Sequence, residues 1–103
     1  MYIIVFITAP NKKEARNIAQ VLLKAKLAAC ANIVEKIDSF FWWKGKIDNS
    51  PEVLLIAKSK KAKLPGIIKK VKSIHSYGVP EIIALPVIAG SRPYLDWIDE
   101  SLR

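Results

Sequence analysis

The chain has 103 residues, of which 51% are hydrophobic, and a formal net charge of +8 from 17 basic and 9 acidic residues. This length predicts one domain over residues 1–103, and this composition excludes a disordered chain. The apolar segment Tyr2 to Thr8 is too short to span a bilayer and lacks the flanks of a signal peptide. With one cysteine and hence no internal disulfide, we expect a cytoplasmic protein without a membrane partner.

The basic residues favour a solvated surface over a nucleic-acid interface. Only three of the 17 are arginine, which reads base edges more often than lysine does. Seven lysines and no acid lie between Lys58 and Lys72, but the aromatic residues that would stack on single-stranded bases are missing there. We therefore predict no nucleic-acid partner.

The first two elements are a strand and a helix. Tyr2 to Thr8 is apolar on both faces, which is typical of a central strand. Asn11 is a suitable N-cap, and Glu14 three residues later would complete a capping box. Apolar residues then recur at helical spacing, which predicts an amphipathic helix that ends near Lys26.

The next two elements form a long hairpin. Ala29 to Trp43 contains no glycine or proline and is predicted to be one strand. Lys44-Gly45-Lys46 is a tight turn, and Val53 to Ala57 is a central strand. Asp48 to Pro51 is either a bulge early in that second strand or the true turn, and we favour the bulge.

A second helix, a fourth strand and a terminal helix complete the chain. Apolar residues at helical spacing run from Leu64 to Ile74, with Pro65 in the first turn, where proline is tolerated. Ile82 to Ile88 is the fourth strand, and its Pro86 indicates an edge or a bulge. The terminal helix is expected to begin between Gly90 and Pro93.

The order β-α-β-β-α-β plus a terminal helix predicts an α+β, ferredoxin-like domain with both helices on one face of the sheet. A strand of about fifteen residues is roughly 50 Å long, whereas a helix of that residue count is only about 23 Å long. The aromatic end of the hairpin therefore extends beyond its own helices. We predict that copies of the same chain cover the four residues Phe40, Phe41, Trp42 and Trp43.

Four segments follow one another in a characteristic order and spacing, LAACANI (27–33), SFFWWKGKI (39–47), HSYGVPEI (75–82) and YLDW (94–97), after the opening TAP (8–10). This combination carries a resemblance to a known family, the CutA divalent-cation tolerance proteins. It implies a ferredoxin-like fold, a tight homotrimer built through the long hairpins, and a link to copper and other divalent cations. It also implies kinship with the PII signalling proteins, trimers that bind small ligands between subunits.

His75 is the only histidine and the one candidate metal ligand, because imidazole suits copper and zinc. Some relatives carry a second histidine just before it and a cysteine just before the Thr-Ala-Pro segment, but this chain has Ile74 and Ile7 there. The alternative role for His75 is a local bond at the C-terminal end of the second helix. Any Cu(II) binding is therefore expected to be weak.

Glu81 and Tyr77 form a polar cluster just before the fourth strand. A carboxylate in that position needs a partner or water, and Lys58 or Lys60 could supply one across the sheet or across a subunit boundary. The cluster predicts either a cleft for an anion or a metal, made by Tyr77, Glu81 and Lys58, or a structural ion pair.

Groups suited to catalysis are few. Cys30 follows two alanines and is predicted to be buried and slow to react. The serines lack a glycine-elbow context, one histidine would have to serve every acid–base role, and no glycine-rich phosphate loop is present.

The leading hypothesis is therefore a non-catalytic homotrimer that resembles CutA, binds copper, another divalent cation or a small ligand, and is linked to cation tolerance. An alternative is a PII-like signalling or scaffold trimer that engages another protein. An enzyme of unknown reaction is a third hypothesis.

Overall fold

The computed structural model describes residues 1–103 as four strands and three α-helices. In chain order the elements are β1 (Tyr2–Ala9), α1 (Lys12–Lys24), β2 (Cys30–Trp43), β3 (Lys46–Lys60), α2 (Leu64–Ile74), β4 (Ile82–Pro86) and α3 (Arg92–Ser101), with a 3₁₀ turn at Lys61–Lys63 before α2. All strand pairs are antiparallel, and the strand order is β2-β3-β1-β4. The predicted α+β class is confirmed.

The core lies between α1, α2 and one face of the sheet. Side chains alternate along β1, so that Ile3, Val5 and Ile7 point to the helices and are buried. Ile18 of α1 and Ile67 of α2 meet them there. The central position predicted for β1 is confirmed, because β1 pairs with β3 on one side and β4 on the other.

The predicted capping box at the start of α1 is only half correct. The Asn11 side chain accepts a hydrogen bond from the Glu14 backbone N–H at 2.8 Å, as expected of an N-cap. The Glu14 carboxylate does not return to Asn11 and instead accepts hydrogen bonds from the Ser76 N–H and hydroxyl at 2.9 and 3.0 Å. A tertiary contact with the loop after α2 has replaced the local one.

The turn at the end of the hairpin is the predicted one. Lys44 and Gly45 both have positive φ, 51° and 79°, as a type I′ turn requires. Trp43 pairs with Lys46 directly beside the turn, and pairing then continues without interruption to Ile37 and Glu52.

The predicted bulge at Asp48 to Pro51 is wrong, because β3 pairs continuously there. The irregularity lies instead in β2, between Val34 and Ile37, where φ of Lys36 is 60°. Two β2 residues, Glu35 and Lys36, are accommodated there opposite one residue of β3. The extra residue shifts the alternation of β2 side chains by one. Odd-numbered residues face the helix side before the bulge, and even-numbered residues face that side after it.

The elements after the hairpin follow the prediction closely. Pro65 lies in the first turn of α2, where its missing N–H costs no helical bond. β4 pairs only with β1 and is therefore an edge strand, which ends at Pro86, two residues before the predicted end.

Helix α3 is anchored at the end of the sheet by an ion pair. Lys60 Nζ lies 2.8 Å from Asp99 Oδ1, and the Tyr2 hydroxyl donates to Asp99 Oδ2. The bond from Lys60 and then that from Tyr2 lower the pKa of Asp99. Ile98 and Leu102 pack beside Ala29.

The sheet face opposite α1 and α2 and the end of the hairpin remain largely uncovered. Ile83, Leu85 and Val34 are exposed on that face. Phe40 and Trp42 near the turn are 72% and 73% exposed. No helix combines the length and the apolar composition needed to cross a membrane.

Candidate functional site

A cavity of about 910 Å³ lies beside the outer half of the hairpin. Its wall combines the end of β1, the hairpin residues beyond the bulge and the loop before β4. The lining residues are Thr8, Asp38, Ser39, Phe40, Phe41, Trp43, Asp48, Asn49, Ser50, Glu52, Tyr77, Val79 and Glu81. This volume is typical of sites for small organic molecules.

The wall of the cavity is acidic although the chain is basic. Asp38, Asp48, Glu52 and Glu81 line it, and no lysine, arginine or histidine does. The chain as a whole carries 17 basic and 9 acidic residues, so the sign of the charge is reversed locally. A concave surface of one sign concentrates ions of the other, so the arrangement favours cations over anions.

Glu52 and Tyr77 form the polar centre of this wall. The Tyr77 hydroxyl donates to Glu52 Oε2 at 2.8 Å. Burial and then this hydrogen bond raise the pKa of Tyr77 to about 12, so the phenol remains a donor at neutral pH. Burial and then the charge of Glu52 also raise the pKa of Glu81. The two carboxylates repel one another, and a bound cation would relieve that repulsion.

Glu52 is one of the site residues that sequence reasoning missed, together with Thr8, Asp38 and Asp48. A signal was present, because Asp48, Ser50 and Glu52 alternate along β3 and so share one face of the strand. Only the pairing register shows that this polar face lies against Ser39 and Phe41 of β2 and toward the cavity.

His75 lies beneath the loop that carries Tyr77, and its side chain has no exposed surface. Nε2 lies 2.8 Å from the Thr8 carbonyl oxygen, to which it donates, while Nδ1 accepts from the Tyr77 N–H at 3.0 Å. Glu14 Oε2 is 3.3 Å from Nδ1. Both ring nitrogens thus have protein partners, and a metal would have to displace one of them.

No group of three or more histidine, cysteine, aspartate or glutamate side chains is arranged to hold a metal ion within the chain. Ile7 is fully buried in the core, and Ile74 ends α2 beside that core. The two positions at which some relatives carry a cysteine and a histidine are therefore apolar and contribute to packing.

Lys58 does not join Tyr77 and Glu81 within one chain. Its Nζ lies 2.9 Å from Asn32 Oδ1 and 5.8 Å from the centre of the Tyr94 ring. Six residues of β3 separate it from Glu52, a distance of about 20 Å along the strand. The structure brings together two of the three residues predicted for the ligand cleft.

Cys30 is half-buried, so the prediction that it is buried was incorrect. Cys30 pairs with Lys58 and therefore shares the sheet face that the helices do not cover. Its neighbour Ala29 is the residue that packs in the interior.

Comparison with known proteins identifies relatives across the whole chain. The family model described as "CutA1 divalent ion tolerance protein" matches residues 3–101. The "Divalent-cation tolerance protein CutA" of Archaeoglobus fulgidus is 46% identical over 103 residues, which are 100% of both chains. The protein of the same name from Thermus thermophilus is 43% identical over 95% of each chain.

Some relatives are longer than this chain. "Protein CutA 1, chloroplastic" of Oryza sativa is 44% identical over 98% of this chain, which spans 57% of that relative. The mouse "Protein CutA" is 43% identical over 92% of this chain, which spans 54% of it. The chain thus corresponds to somewhat more than half of these two proteins.

Solved structures agree with the fold. The structure of the "Periplasmic divalent cation tolerance protein CutA" from Archaeoglobus fulgidus superposes with a TM-score of 0.97 over 100% of both chains. The Thermus thermophilus "Divalent cation tolerance protein (Cut A1)" gives 0.96 over 98% of each chain, at 42% identity. From its sequence and its fold, the chain belongs to the CutA1 divalent ion tolerance protein family.

Proposed function

We propose that this protein binds cations without catalysis and contributes in that way to divalent-cation tolerance, the property named in its family. One observation carries the proposal, namely the cavity wall with four carboxylates and no basic side chain. A divalent metal ion or a small cationic ligand would bind there, with Glu52 and Glu81 as the nearest opposite charges.

We further propose that the working unit is a homotrimer of ferredoxin-like domains. The strand order β2-β3-β1-β4 and the element order βαββαβ support the ferredoxin-like assignment. The exposed aromatic residues Phe40, Phe41, Trp42 and Trp43 support the assembly, because an apolar patch of this kind marks an interaction surface. The three chains would meet along the hairpins, with each cavity at a subunit boundary.

Copper or another divalent cation is expected to bind weakly. A single chain offers the pair Glu52 and Glu81, and selective metal sites need more ligands in fixed geometry. A further ligand from a second copy would complete a site at the boundary. His75 remains the predicted imidazole donor, which it becomes only if Nδ1 releases the Tyr77 N–H or Nε2 releases the Thr8 carbonyl.

Calorimetry with Cu(II) and Zn(II) tests the proposal on the wild type, the double variant Glu52→Gln/Glu81→Gln and His75→Ala. Glu100→Gln, an exposed change of the same kind on α3, is the control. We expect weak binding that the double variant loses and the control keeps. Tight binding that survives the double variant would place the site elsewhere, and loss in His75→Ala alone would assign it to the imidazole.

The location of the protein is a separate prediction. The single cysteine favours the cytoplasm, whereas relatives named chloroplastic and periplasmic exist. Fractionation of cells that produce the protein, followed by immunoblotting, measures this directly.

A further inference from the structure

We propose that the outer surface of the two helices that cover the sheet binds a linear inorganic polyphosphate chain. This surface, the helix layer, comprises residues 12–26 and 61–74, which are α1, the two residues after it, the 3₁₀ turn and α2. The inference goes beyond the proposed cation binding, because it concerns another surface of the molecule and a ligand of the opposite charge.

The net charge of the chain lies in the helix layer. Ten of the 17 basic residues and one of the nine acidic residues belong to it, five of the ten in each of its two segments, which gives it a formal charge of +9. The remaining residues carry seven basic and eight acidic side chains, so the rest of the molecule has a formal charge of −1. A broad surface of one sign attracts polyanions.

Most of these charges are free to meet a ligand. Nine of the ten basic residues are exposed, and Lys63 is half-buried. Lys12 Nζ lies 3.4 Å from Glu35 Oε2 and forms the only ion pair among the ten. The one acid of the layer, Glu14, accepts hydrogen bonds from the Ser76 N–H and hydroxyl. The helix layer therefore supplies no carboxylate that neutralises its own lysines.

The basic residues of the layer repel one another along each helix. Lys12 and Arg16 are four residues apart in α1, and Lys69 and Lys72 are three apart in α2. Side chains at these spacings have Cβ atoms about 5–6 Å apart, and like charges there destabilise a helix. A helix face that is merely solvated usually alternates the sign of its charges. This layer does not, and a bound polyanion would relieve the repulsion.

The residue types of the layer suit phosphate groups without bases. Nine of the ten basic residues are lysines, which bind phosphate as mobile point charges. The layer contains one arginine and no aromatic residue, so the side chains that most often read base edges or stack on single-stranded bases are nearly missing. A polyphosphate chain presents phosphates alone, and its flexibility allows it to follow the lysines of both helices.

A lipid surface and a protein surface fit the layer less well. A helix that lies on a membrane inserts its apolar face, but the apolar faces of α1 and α2 are buried against the sheet. Leu23 is the one large apolar side chain that the layer exposes. Protein interfaces are depleted in lysine. The composition of the layer therefore favours a ligand that is held by charge.

Calorimetry in metal-free buffer with long-chain sodium polyphosphate tests the inference. Two triple variants of equal net charge are compared, one that removes three exposed charges from α2 and a matched control that removes three exposed charges from the hairpin. They are Lys69→Gln/Lys70→Gln/Lys72→Gln and Lys36→Gln/Lys44→Gln/Lys46→Gln. We expect the α2 variant to bind polyphosphate about tenfold more weakly than the control, because phosphate contacts are local. Circular dichroism and sedimentation velocity verify the fold and the assembly of both variants.

The wild type provides two further measurements. Its affinity for polyphosphate should fall by about tenfold or more between about 50 and 200 mM salt, because neutralised phosphates release counterions. Sodium orthophosphate at the same phosphate concentration should not displace the chain, because a single phosphate cannot contact several lysines at once. Displacement by orthophosphate would indicate a site for one phosphate and would overturn the inference.

The remaining outcomes separate polyphosphate from other anions. Equal affinities of the two triple variants would show general attraction to a positively charged protein, which overturns the inference. Tighter binding of a DNA duplex at equal phosphate concentration would assign the layer to nucleic acid, and tighter binding of phosphatidylserine vesicles at equal charge would assign it to a membrane. Either result would overturn the inference. Absence of polyphosphate binding while Cu(II) or Zn(II) still binds would overturn it and leave the proposed function intact.

Discussion

The two halves of the β2–β3 hairpin belong to the same two strands and differ sharply in burial. In the half beside the helices, Val53, Leu55 and Ala57 of β3 are buried. In the half beyond the bulge, Phe40 and Trp42 are 72% and 73% exposed, although both are larger and at least as hydrophobic. The comparison teaches that burial along this hairpin depends on how far the helices extend, and that hydrophobicity alone does not decide it.

The lengths of the helices explain where along the hairpin the side chains change from buried to exposed. Helix α1 has 13 residues and α2 has 11, or about 20 and 17 Å, whereas the longest dimension of the chain is 44 Å. Burial on β3 ends at Val53, which lies opposite the bulge in β2. The covered half is therefore the core of the domain, and we attribute to the uncovered half the role of binding other molecules.

Removal of the aromatic end should have the largest effect. Both rings are exposed in the single chain and would be buried between chains in the proposed trimer. We therefore expect Trp42→Ala/Trp43→Ala to separate the chains and lower the melting temperature strongly, because truncation of an aromatic side chain that is buried costs about 3–5 kcal/mol. Sedimentation velocity and thermal unfolding measure both effects. Leu23→Ala on α1, a partly exposed site away from the hairpin, is the control. A double variant that keeps its assembly and its melting point would contradict the proposed interface.

A substitution in the covered half should lower the stability of the fold without separating the chains. Leu55→Ala removes a fully buried side chain and should cost about 2–5 kcal/mol of unfolding free energy. At a temperature where the variant is still folded, it should remain assembled. Denaturant unfolding and sedimentation velocity on the same sample check both statements, and dissociation of folded Leu55→Ala would show that the two halves are not independent.

The sequence predicted the secondary-structure elements of this fold, but it did not predict the bulge that separates the two halves of the hairpin. The elements followed from local signals, such as the N-cap Asn11, the turn at Gly45 and the apolar run of β1. The bulge did not, because the extra residue at Lys36 conforms to no alternation pattern and becomes visible only in the pairing register.

The candidate site was predictable only in part. Tyr77 and Glu81 stand close together in the sequence, and their cluster was recognised there. Glu52 and Thr8 reach the same cavity from other strands, so their roles depend on tertiary structure. Lys58 was expected to meet Glu81 across the sheet or across a subunit boundary, but within one chain about 20 Å of strand separates it from Glu52 in the cavity wall.

Glycine-to-alanine changes at the hairpin turn and in helix α2, which covers the other half, should differ by a smaller amount. Gly45 at the turn has φ of 79°, so Gly45→Ala should cost about 1–2 kcal/mol, although its Cβ would meet nothing within 4 Å. In helix α2, a Cβ on Gly66 would lie 2.8 Å from a terminal methyl of Leu27, which can shift. The gain in helix propensity, about 1 kcal/mol, should largely offset that push. Denaturant unfolding of both variants measures the difference, and equal losses would contradict the account of the turn.

The smallest effect concerns the protonation of Tyr77. Its pKa is raised to about 12 from 10.0 by burial and by the bond to Glu52. The raised value means that the stability due to this phenol is fully present below pH 10 and is lost as the pH rises to 12. Ultraviolet titration of tyrosinate should show the late midpoint, and Glu52→Gln should lower it. A midpoint near 10 in the wild type would contradict the described hydrogen bond.

Sedimentation equilibrium of the wild-type protein at micromolar concentration tests the central claim most directly, since that claim is that the exposed half of the hairpin is covered by other copies of the chain. The account predicts a single species with three times the chain mass of 11.5 kDa. A species with the mass of one chain would contradict it, because Phe40, Phe41, Trp42 and Trp43 would then remain in water without a partner.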